Sequence, residues 1–129
     1  VVQRIVAQLN DRGKALSTAD VLVLGAAYKP NVSDTRESPA IDIIQQLEAW
    51  KATVEYHDPL VPELEVVRET HESVPLTDER LEQADCVVIV TDHDVFDLER
   101  IVNHSSIVFD TRNATAGLEV GDDTSIVRL

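Results

Sequence analysis

Three short, continuously apolar runs constrain the fold of this chain more than any other feature. They occupy residues 21–24, 86–90 and 107–109, and segments with helical spacing lie between them. A run that is apolar at every position is typical of a strand covered on both faces of a sheet. Such strands, alternating with helices, predict a mostly parallel sheet with right-handed crossovers. We therefore expect an α/β domain of three layers, with helices on both faces of the sheet.

The helices and the remaining strands are predicted from spacing and capping. Apolar residues from Val2 to Leu9 recur at helical spacing, and Gly13 follows as a left-handed stop. Ser38 and Pro39 form a favoured helix start, because serine caps free amides and proline is tolerated at the first helical position. Further predictions are helices at 62–69, from a cap at Thr77 or Asp78 to Gln83, and around 98–102, strands at 53–57, 74–76 and 126–129, and a turn-rich tail at 114–123. This arrangement is Rossmann-like.

Composition limits the classes of partner. The chain has 129 residues, enough for one domain with a real core, and a formal net charge of -13. Such a charge repels nucleic acid and anionic membranes, so neither is expected as a partner. Because lysine is scarce and acids are abundant, we expect a halophilic source, with an ordinary acidic domain as the alternative.

The location and the chain ends give further expectations. No apolar run approaches the roughly 20 residues that a membrane helix requires, and no signal peptide opens the sequence. We expect a cytoplasmic protein. Residues 1–13 are interpreted as the end of a linking helix from an absent upstream domain, and residues 14–129 as the domain itself. Cys86 is the single cysteine and lies inside an apolar run, where we expect it to be inert.

The loop at residues 25–40 carries the strongest functional signal. It leaves the first apolar run at the carboxyl end of a strand, where open α/β sheets bind ligands. Only Gly25 is present where a dinucleotide-binding turn needs three glycines, so we do not expect this domain to bind NAD. Tyr28 offers a flat surface for a ring, and Lys29 offers a charge for a phosphate or sugar oxygen. The alternative is that Tyr28 packs at the core edge and Lys29 is solvated.

The polar residues later in this loop are interpreted as structural. Asp34, Arg36 and Glu37 are expected to form an internal ion-pair set, because a long loop needs side-chain hydrogen bonds to hold one shape. Ser38 is expected to cap the following helix. Direct contact of these side chains with a ligand is the alternative.

Four ordered motifs resemble one enzyme family. Residues 25–40, GAAYKPNVSDTRESPA, are similar to the G-x-[AS]-[FY]-K-x-[ND]-x-x-D-x-R-E-S-P-[AS] element that opens the C-terminal, sugar-nucleotide-binding domain of the UDP-glucose/GDP-mannose dehydrogenase family. Residues 54–59, 84–96 and 110–113 resemble the family's V-x-x-[YH]-D-P, A-D-x-[VI]-[VI]-x-x-T-x-H-x-x-F and D-x-R-[NG] motifs. The resemblance covers nearly the whole chain.

The resemblance implies an NAD-dependent oxidation of a nucleotide sugar at C6, from alcohol to carboxylate. The family's NAD-binding domain and nucleophilic cysteine lie upstream, so this chain is expected to hold no catalytic residue, no metal and no NAD of its own, and to be inactive alone. By the same resemblance Tyr28, Lys29 and Arg112 contact the UDP-sugar. Pairing of Arg112 with Asp110 or another acid is the alternative for that arginine. His93 is expected to be a satisfied loop histidine, with contact to a substrate as the alternative.

The substrate and the assembly are less constrained by the motifs. The loop resembles the branch that acts on UDP-N-acetylmannosamine or UDP-N-acetylglucosamine, and UDP-glucose is the alternative. The resemblance implies upstream NAD-binding and central domains as partners, and a homo-oligomer. A freestanding α/β nucleotide-binding regulatory module and a pure scaffold are alternatives from other classes. Lys51 stands where the family usually has glycine, which costs about 1 kcal/mol if the residue is left-handed.

Overall fold

A five-stranded parallel sheet forms the centre of the fold in the computed structural model, which describes residues 1–121 and 124–129. In that part of the chain the strands are β1 (Asp20–Leu24), β2 (Thr53–His57), β3 (Glu63–Val66), β4 (Glu69–Glu72), β5 (Cys86–Ile89), β6 (Ile107–Asp110) and β7 (Ser125–Arg128). The helices are α1 (Val2–Asp11), α2 (Pro39–Ala49), α3 (Asp78–Gln83) and α4 (Leu98–His104), with a short 3-10 turn at Leu16–Thr18. The main sheet has the order β2-β1-β5-β6-β7, and every neighbouring pair is parallel.

The side chains of β1 show how the three layers are built. Val21 and Val23 pack into a cluster with α1 and α2, whereas Leu22 and Leu24 pack into a second cluster with α3 and α4. All four are fully buried, as expected for a strand covered on both faces. The predicted three-layer α/β architecture is therefore confirmed.

The helix boundaries follow the predicted caps. The Ser38 hydroxyl accepts a hydrogen bond from the amide of Ala40 at the start of α2, and the Thr77 hydroxyl caps α3. After α1 and α2 the chain turns through left-handed residues, Gly13 with φ 73° and Lys51 with φ 70°. Both ends make the paired amide-to-carbonyl bonds of a Schellman motif.

The prediction of a helix at residues 62–69 is wrong. This segment and the residues after it form an antiparallel hairpin of β3 and β4. Leu64 and Val66 are buried while the residues beside them are exposed, which is the period of a strand. Val67 and Arg68, both with positive φ, make the tight turn. The strand predicted at 74–76 is also absent from the assigned elements, although the amide of Val74 bonds the carbonyl of Tyr56 beside β2.

The other sequence expectations for the fold agree with the structure. The last predicted strand is β7, and the apolar run at 86–90 forms β5 in its first four residues. The tail predicted at 114–123 extends into residues 122 and 123, which lie outside the described residues. None of the helices in the described ranges has the length and apolar character that crossing a membrane requires.

Candidate functional site

The order of the strands locates a crevice. The chain moves from β1 to β2 on one side and then returns to β5 on the other side of β1. In open α/β sheets, ligands bind outside the carboxyl ends of the strands at such a reversal point. The loops after β1 and β5 both begin there, and the loop after β6 lies one strand away.

Gly25 allows the loops after β1 and β5 to approach closely. Its φ is 87°, and a Cβ added to it would lie 2.6 Å from Cβ and 2.7 Å from the amide nitrogen of Thr91. A side chain at this position would therefore collide with backbone. The Thr91 hydroxyl in turn donates to the carbonyl of Ala27, at 2.8 Å. The single glycine of the loop thus serves strand-to-loop packing.

Asp58 and His93 join the ends of β2 and β5 beneath this loop. Both side chains are fully buried, and His93 Nε2 lies 2.8 Å from Asp58 Oδ2. The same carboxylate oxygen accepts from the amide of Ala26 at 2.7 Å, and His93 Nδ1 accepts from the amide of Asn31 at 2.8 Å. His93 is thus hydrogen-bonded on both ring nitrogens. The sequence predicted a satisfied histidine but gave no sign that Asp58 is its partner.

Tyr28 and Lys29 lie at the surface of the crevice. Both are exposed, Tyr28 by 47%. Tyr28 lines a cavity of about 280 Å³ together with Asp34, Arg36 and Glu37, whereas Lys29 is not among its lining residues. Within residues 1–121 and 124–129, Lys29 makes no ion pair. A ring surface and an uncompensated cation therefore follow one another along the chain.

The polar residues of the loop form one tight pair. Arg36 donates to both carboxylate oxygens of Asp34, at 3.1 and 2.8 Å, and its amide bonds Asp34 as well. These side-chain and backbone hydrogen bonds lower the pKa of Asp34 to about 2. Glu37 has φ 58° and does not join this pair in the described structure. Ser38 caps α2 as described above.

Arg112 extends from the loop after β6 across the end of β5. Its Nε donates to the carbonyl of Val90 at 2.9 Å, and the residue is exposed. Asp110 does not pair with its guanidinium. Instead the Asp110 carboxylate accepts from the Arg112 amide and from the amide and hydroxyl of Thr115. Burial raises the pKa of Asp110, but these hydrogen bonds outweigh burial and hold it below its usual value.

The loop after β1 does not fit a dinucleotide. Its amides, which such a loop would direct at a pyrophosphate, are already used: Gly25 donates to the carbonyl of His57, Ala26 to Asp58, and Tyr28 to the carbonyl of Asp34. The residues present therefore do not fit NAD at this position, in agreement with the missing glycines.

Two other groups with reactive or ligating side chains lie elsewhere. Cys86 is buried, and burial raises the pKa of its thiol to about 12, so it has no thiolate character near neutral pH. Glu48, Glu69 and His71 lie together where α2 meets the hairpin, with His71 Nε2 at 3.5 Å from Glu48 and 4.0 Å from Glu69. An imidazole between two carboxylates forms an ion pair equally well, and we assign no metal to it.

Comparison with known proteins identifies the family. The sequence model described as UDP-glucose/GDP-mannose dehydrogenase family, UDP binding domain, matches residues 22–117. The chain belongs to the UDP-glucose/GDP-mannose dehydrogenase family. The region matched begins in β1 and includes all four motifs from which the resemblance was drawn, so that resemblance is confirmed.

Relatives and solved structures agree with the family. A UDP-N-acetyl-D-mannosamine dehydrogenase of Methanococcus maripaludis is 40% identical over 101 residues, covering 72% of this chain and 22% of that protein. A UDP-glucose 6-dehydrogenase of Glycine max is 38% identical over 68 residues, covering 53% of this chain and 14% of that protein. The structure of a UDP-D-ManNAc dehydrogenase from Pyrococcus horikoshii superimposes with a TM-score of 0.73 at 27% identity, covering 95% of this chain and 28% of that one. The chain thus spans less than a third of the length of these relatives.

Proposed function

We propose that this chain is the sugar-nucleotide-binding domain of an NAD-dependent nucleotide-sugar 6-dehydrogenase, which oxidises a C6 alcohol to the carboxylate. One observation carries the proposal. Lys29 and Arg112, both exposed, lie at the carboxyl ends of β1 and β6 around the reversal point, and neither is neutralised by a carboxylate of the described residues. On a domain with net charge -13, two such cations at one crevice are suited to a diphosphate.

Each of the three predicted residues has a role in this proposal. Tyr28 packs its ring against the nucleotide, and Lys29 binds a phosphate oxygen as a point charge. Arg112 is held by its Nε on the Val90 carbonyl, which leaves its terminal nitrogens to bind the sugar nucleotide. Asp34, Arg36, Glu37 and Ser38 shape the loop and the start of α2 rather than bind substrate.

The oxidation itself belongs to parts of the enzyme beyond these residues. We propose that residues 1–13 belong to a linking helix, that residues 14–129 form the binding domain, and that NAD and the nucleophile are supplied by upstream domains of a homo-oligomeric cytoplasmic enzyme. The chain spans less than a third of its relatives, and its cysteine is buried and inert, which supports this division. The 129-residue chain is expected to show no turnover with NAD and any UDP-sugar.

UDP-N-acetylmannosamine or UDP-N-acetylglucosamine is the proposed substrate. The relative with 40% identity is named for the first of these sugars. UDP-glucose is the second candidate, because a relative with 38% identity over a shorter stretch is named for it. Activity of the full-length enzyme with each sugar nucleotide decides between them.

Calorimetric titration tests the binding site. The chain is expected to bind UDP and to give no heat with NAD. Replacing Lys29 or Arg112 by alanine is expected to weaken UDP binding by about tenfold or more, because each loses a charged hydrogen bond. Arg12→Ala is the matched control. Arg12 is exposed and lies two residues before Lys14, which pairs with Asp85 at the amino end of β5. The Arg12→Ala variant therefore removes the same charge at the opposite end of the sheet.

The alternatives give different results in the same experiment. Binding of NAD, or equal UDP affinity in all three variants, contradicts the proposed site. A freestanding regulatory module is supported if other nucleotides bind better than UDP, and a scaffold is supported if none binds. The proposal of a halophilic source requires greater stability against unfolding in molar KCl than in dilute buffer.

A further inference from the structure

Both ends of the segment that carries Tyr28 and Lys29 are attached to one buried pair. The amide of Ala26 donates to Asp58 Oδ2 at 2.7 Å, and the amide of Asn31 donates to His93 Nδ1 at 2.8 Å. The two side chains are joined to each other at 2.8 Å, and neither has any exposed surface. Tyr28 and Lys29 lie between the two attachment points, on the surface above the pair.

The hydrogen bonds define the protonation state of the pair. His93 Nδ1 accepts a hydrogen bond from a backbone amide, so it carries no proton. The proton of the neutral ring is then on Nε2, which donates to the Asp58 carboxylate. Asp58 also accepts from the amide of Leu60 at 2.8 Å through its other oxygen. Every polar atom of the pair therefore has a partner, and a second proton on the imidazole has no acceptor.

We propose that Asp58 and His93 are positioning residues for the nucleotide, and that the neutral imidazole with its proton on Nε2 is the form that holds Tyr28 and Lys29 in place. The proposal rests on the proposed function, because the ligand of the loop is the UDP moiety. It goes beyond that function by assigning a role to two residues that do not touch the UDP moiety. It also assigns a protonation state of His93 that controls the affinity for UDP. When Nδ1 of His93 is protonated, its N–H faces the N–H of Asn31 and the hydrogen bond between them is lost. The segment that carries Tyr28 and Lys29 is then no longer attached at its Asn31 end.

The surroundings of His93 restrict which other groups respond to pH. Phe96 contacts the His93 ring edge-on, at 5.4 Å between ring centroids, and it also lies near His57, at 6.0 Å between centroids. His57 Nδ1 lies 2.6 Å from the carbonyl of Val74, an acceptor that is kept when the ring is protonated. Among the described residues, the charged groups nearest to this ring are Asp58, which bonds Nε2, and Asp94, which follows His93 in the chain and bonds the Asn31 side chain. Of the two histidines here, only His93 loses a bond when it gains a proton.

The pH dependence of UDP affinity tests the proposal. UDP is titrated into the parent chain and into His93→Gln at about pH 8 and about pH 5, the range in which histidine changes charge. Glutamine does not titrate there, and the titration of the UDP phosphate is common to both proteins. The parent is expected to lose about tenfold more affinity than His93→Gln over this range, which corresponds to one hydrogen bond. Equal losses in the two proteins overturn the proposal.

Asn31→Gly is the matched control. Asn31 has φ 66°, which glycine adopts freely, and the variant keeps the amide that bonds His93 while removing the side-chain contacts to Asp94. It is expected to keep the pH profile of the parent. A flat profile in Asn31→Gly would mean that the Asp94 contact, and not His93, transmits the effect of pH.

A second measurement needs neither UDP nor a variant. Nitrogen-15 NMR of the parent is expected to show His93 protonated on Nε2 alone at about pH 8, and the Asn31 amide signal is expected to shift along the His93 titration. The proposal is overturned if the His93 proton lies on Nδ1 at about pH 8, or if the Asn31 amide signal does not change with pH. If UDP fails to bind at all, the proposed function is wrong while this result still decides whether the pair holds the loop.

Discussion

The two ends of the sheet use their charges in opposite ways. At the amino end, Arg80 is only 11% exposed and pairs with Asp20 at 2.8 Å and with Glu55 at 2.9 Å. At the carboxyl end, Lys29 and Arg112 are exposed and make no ion pair among the described residues. Arg80 at the amino end is therefore neutralised by carboxylates, whereas Lys29 and Arg112 at the carboxyl end are not, although Arg36 in the same loop as Lys29 pairs with Asp34.

The buried acids of the carboxyl end explain how these cations stay available. Asp58 and Asp110 are buried, yet their partners are backbone amides, a hydroxyl and an imidazole rather than lysine or arginine. A carboxylate satisfied by several hydrogen bonds needs no counter-ion nearby. The comparison teaches that Asp58 and Asp110 are satisfied without the side chains of Lys29 and Arg112, which leaves both cations without a carboxylate partner among the described residues.

Gly25→Ala gives the largest expected effect and tests whether the carboxyl end depends on close packing. The new Cβ would collide with the backbone of Thr91, and the residue would keep a φ of 87°. We expect a loss of about 3 kcal/mol or more in the free energy of unfolding, measured by urea denaturation. Gly117→Ala is the control, since φ is 82° but nothing lies within 4 Å, and its expected cost is about 1 kcal/mol. Equal costs for the two variants would contradict the close approach.

Asp110→Asn tests whether a buried acid at this end depends on its charge. The carboxylate accepts four hydrogen bonds, from Arg112, Ala114 and Thr115, and the amide cannot accept them all. We expect a loss of about 2 kcal/mol in the free energy of unfolding at neutral pH. Because the folded pKa is below the usual 3.8, the difference from the parent should be constant above that pH and shrink as the pH falls below it. A difference that grows in acid would reverse the sign and refute this account.

Arg80→Ala compared with Lys29→Ala tests the contrast between the ends directly. Loss of Arg80 leaves Asp20 and Glu55 without their partner, and we expect a cost of about 1 to 2 kcal/mol in unfolding free energy with no change in UDP affinity. Lys29→Ala should leave stability within about 0.5 kcal/mol of the parent while weakening UDP binding. The contrast fails if Lys29→Ala destabilises as much as Arg80→Ala.

Lys51→Gly gives the smallest expected effect and refers to the amino end alone. Lys51 takes the left-handed position of the Schellman motif after α2, with φ 70°, where glycine has no steric cost. We expect a gain of about 1 kcal/mol in unfolding free energy and an unchanged affinity for UDP. The reverse variant in the same motif, Gly13→Lys after α1, should lose a similar amount. A loss of stability in Lys51→Gly would show that the lysine side chain makes a contact of its own.

The fold was largely predictable because its signals are local. The apolar runs gave the strands, and Ser38, Thr77 and Gly13 gave helix ends, since capping depends on a few neighbouring residues. The hairpin was missed because its buried face has only two residues, Leu64 and Val66, and a run that short does not distinguish the period of a strand from that of a helix. The α2 helix, against which β3 packs, provides the burial that decides it.

The candidate site divides in the same way. The loop residues Tyr28 and Lys29, together with Arg112, were recognisable as candidates because they lie within motifs that follow predicted strands. The attachment of that loop was not, because Asp58, His93 and Asn31 are far apart in the sequence. His93 lies four residues beyond the end of β5, and nothing in its local sequence indicates which side chain accepts its hydrogen bond.

The sequence by itself therefore determined the class of fold, the family and the candidate loop at residues 25–40, because each depends on patterns within a single segment. The tertiary structure decided which charges are neutralised and which remain available. That choice depends on which strand ends meet, and strand ends meet only after the chain has reversed direction at β1. The paired cations at the amino end, and the buried Asp58 and His93 beneath Lys29 at the carboxyl end, are both consequences of that reversal.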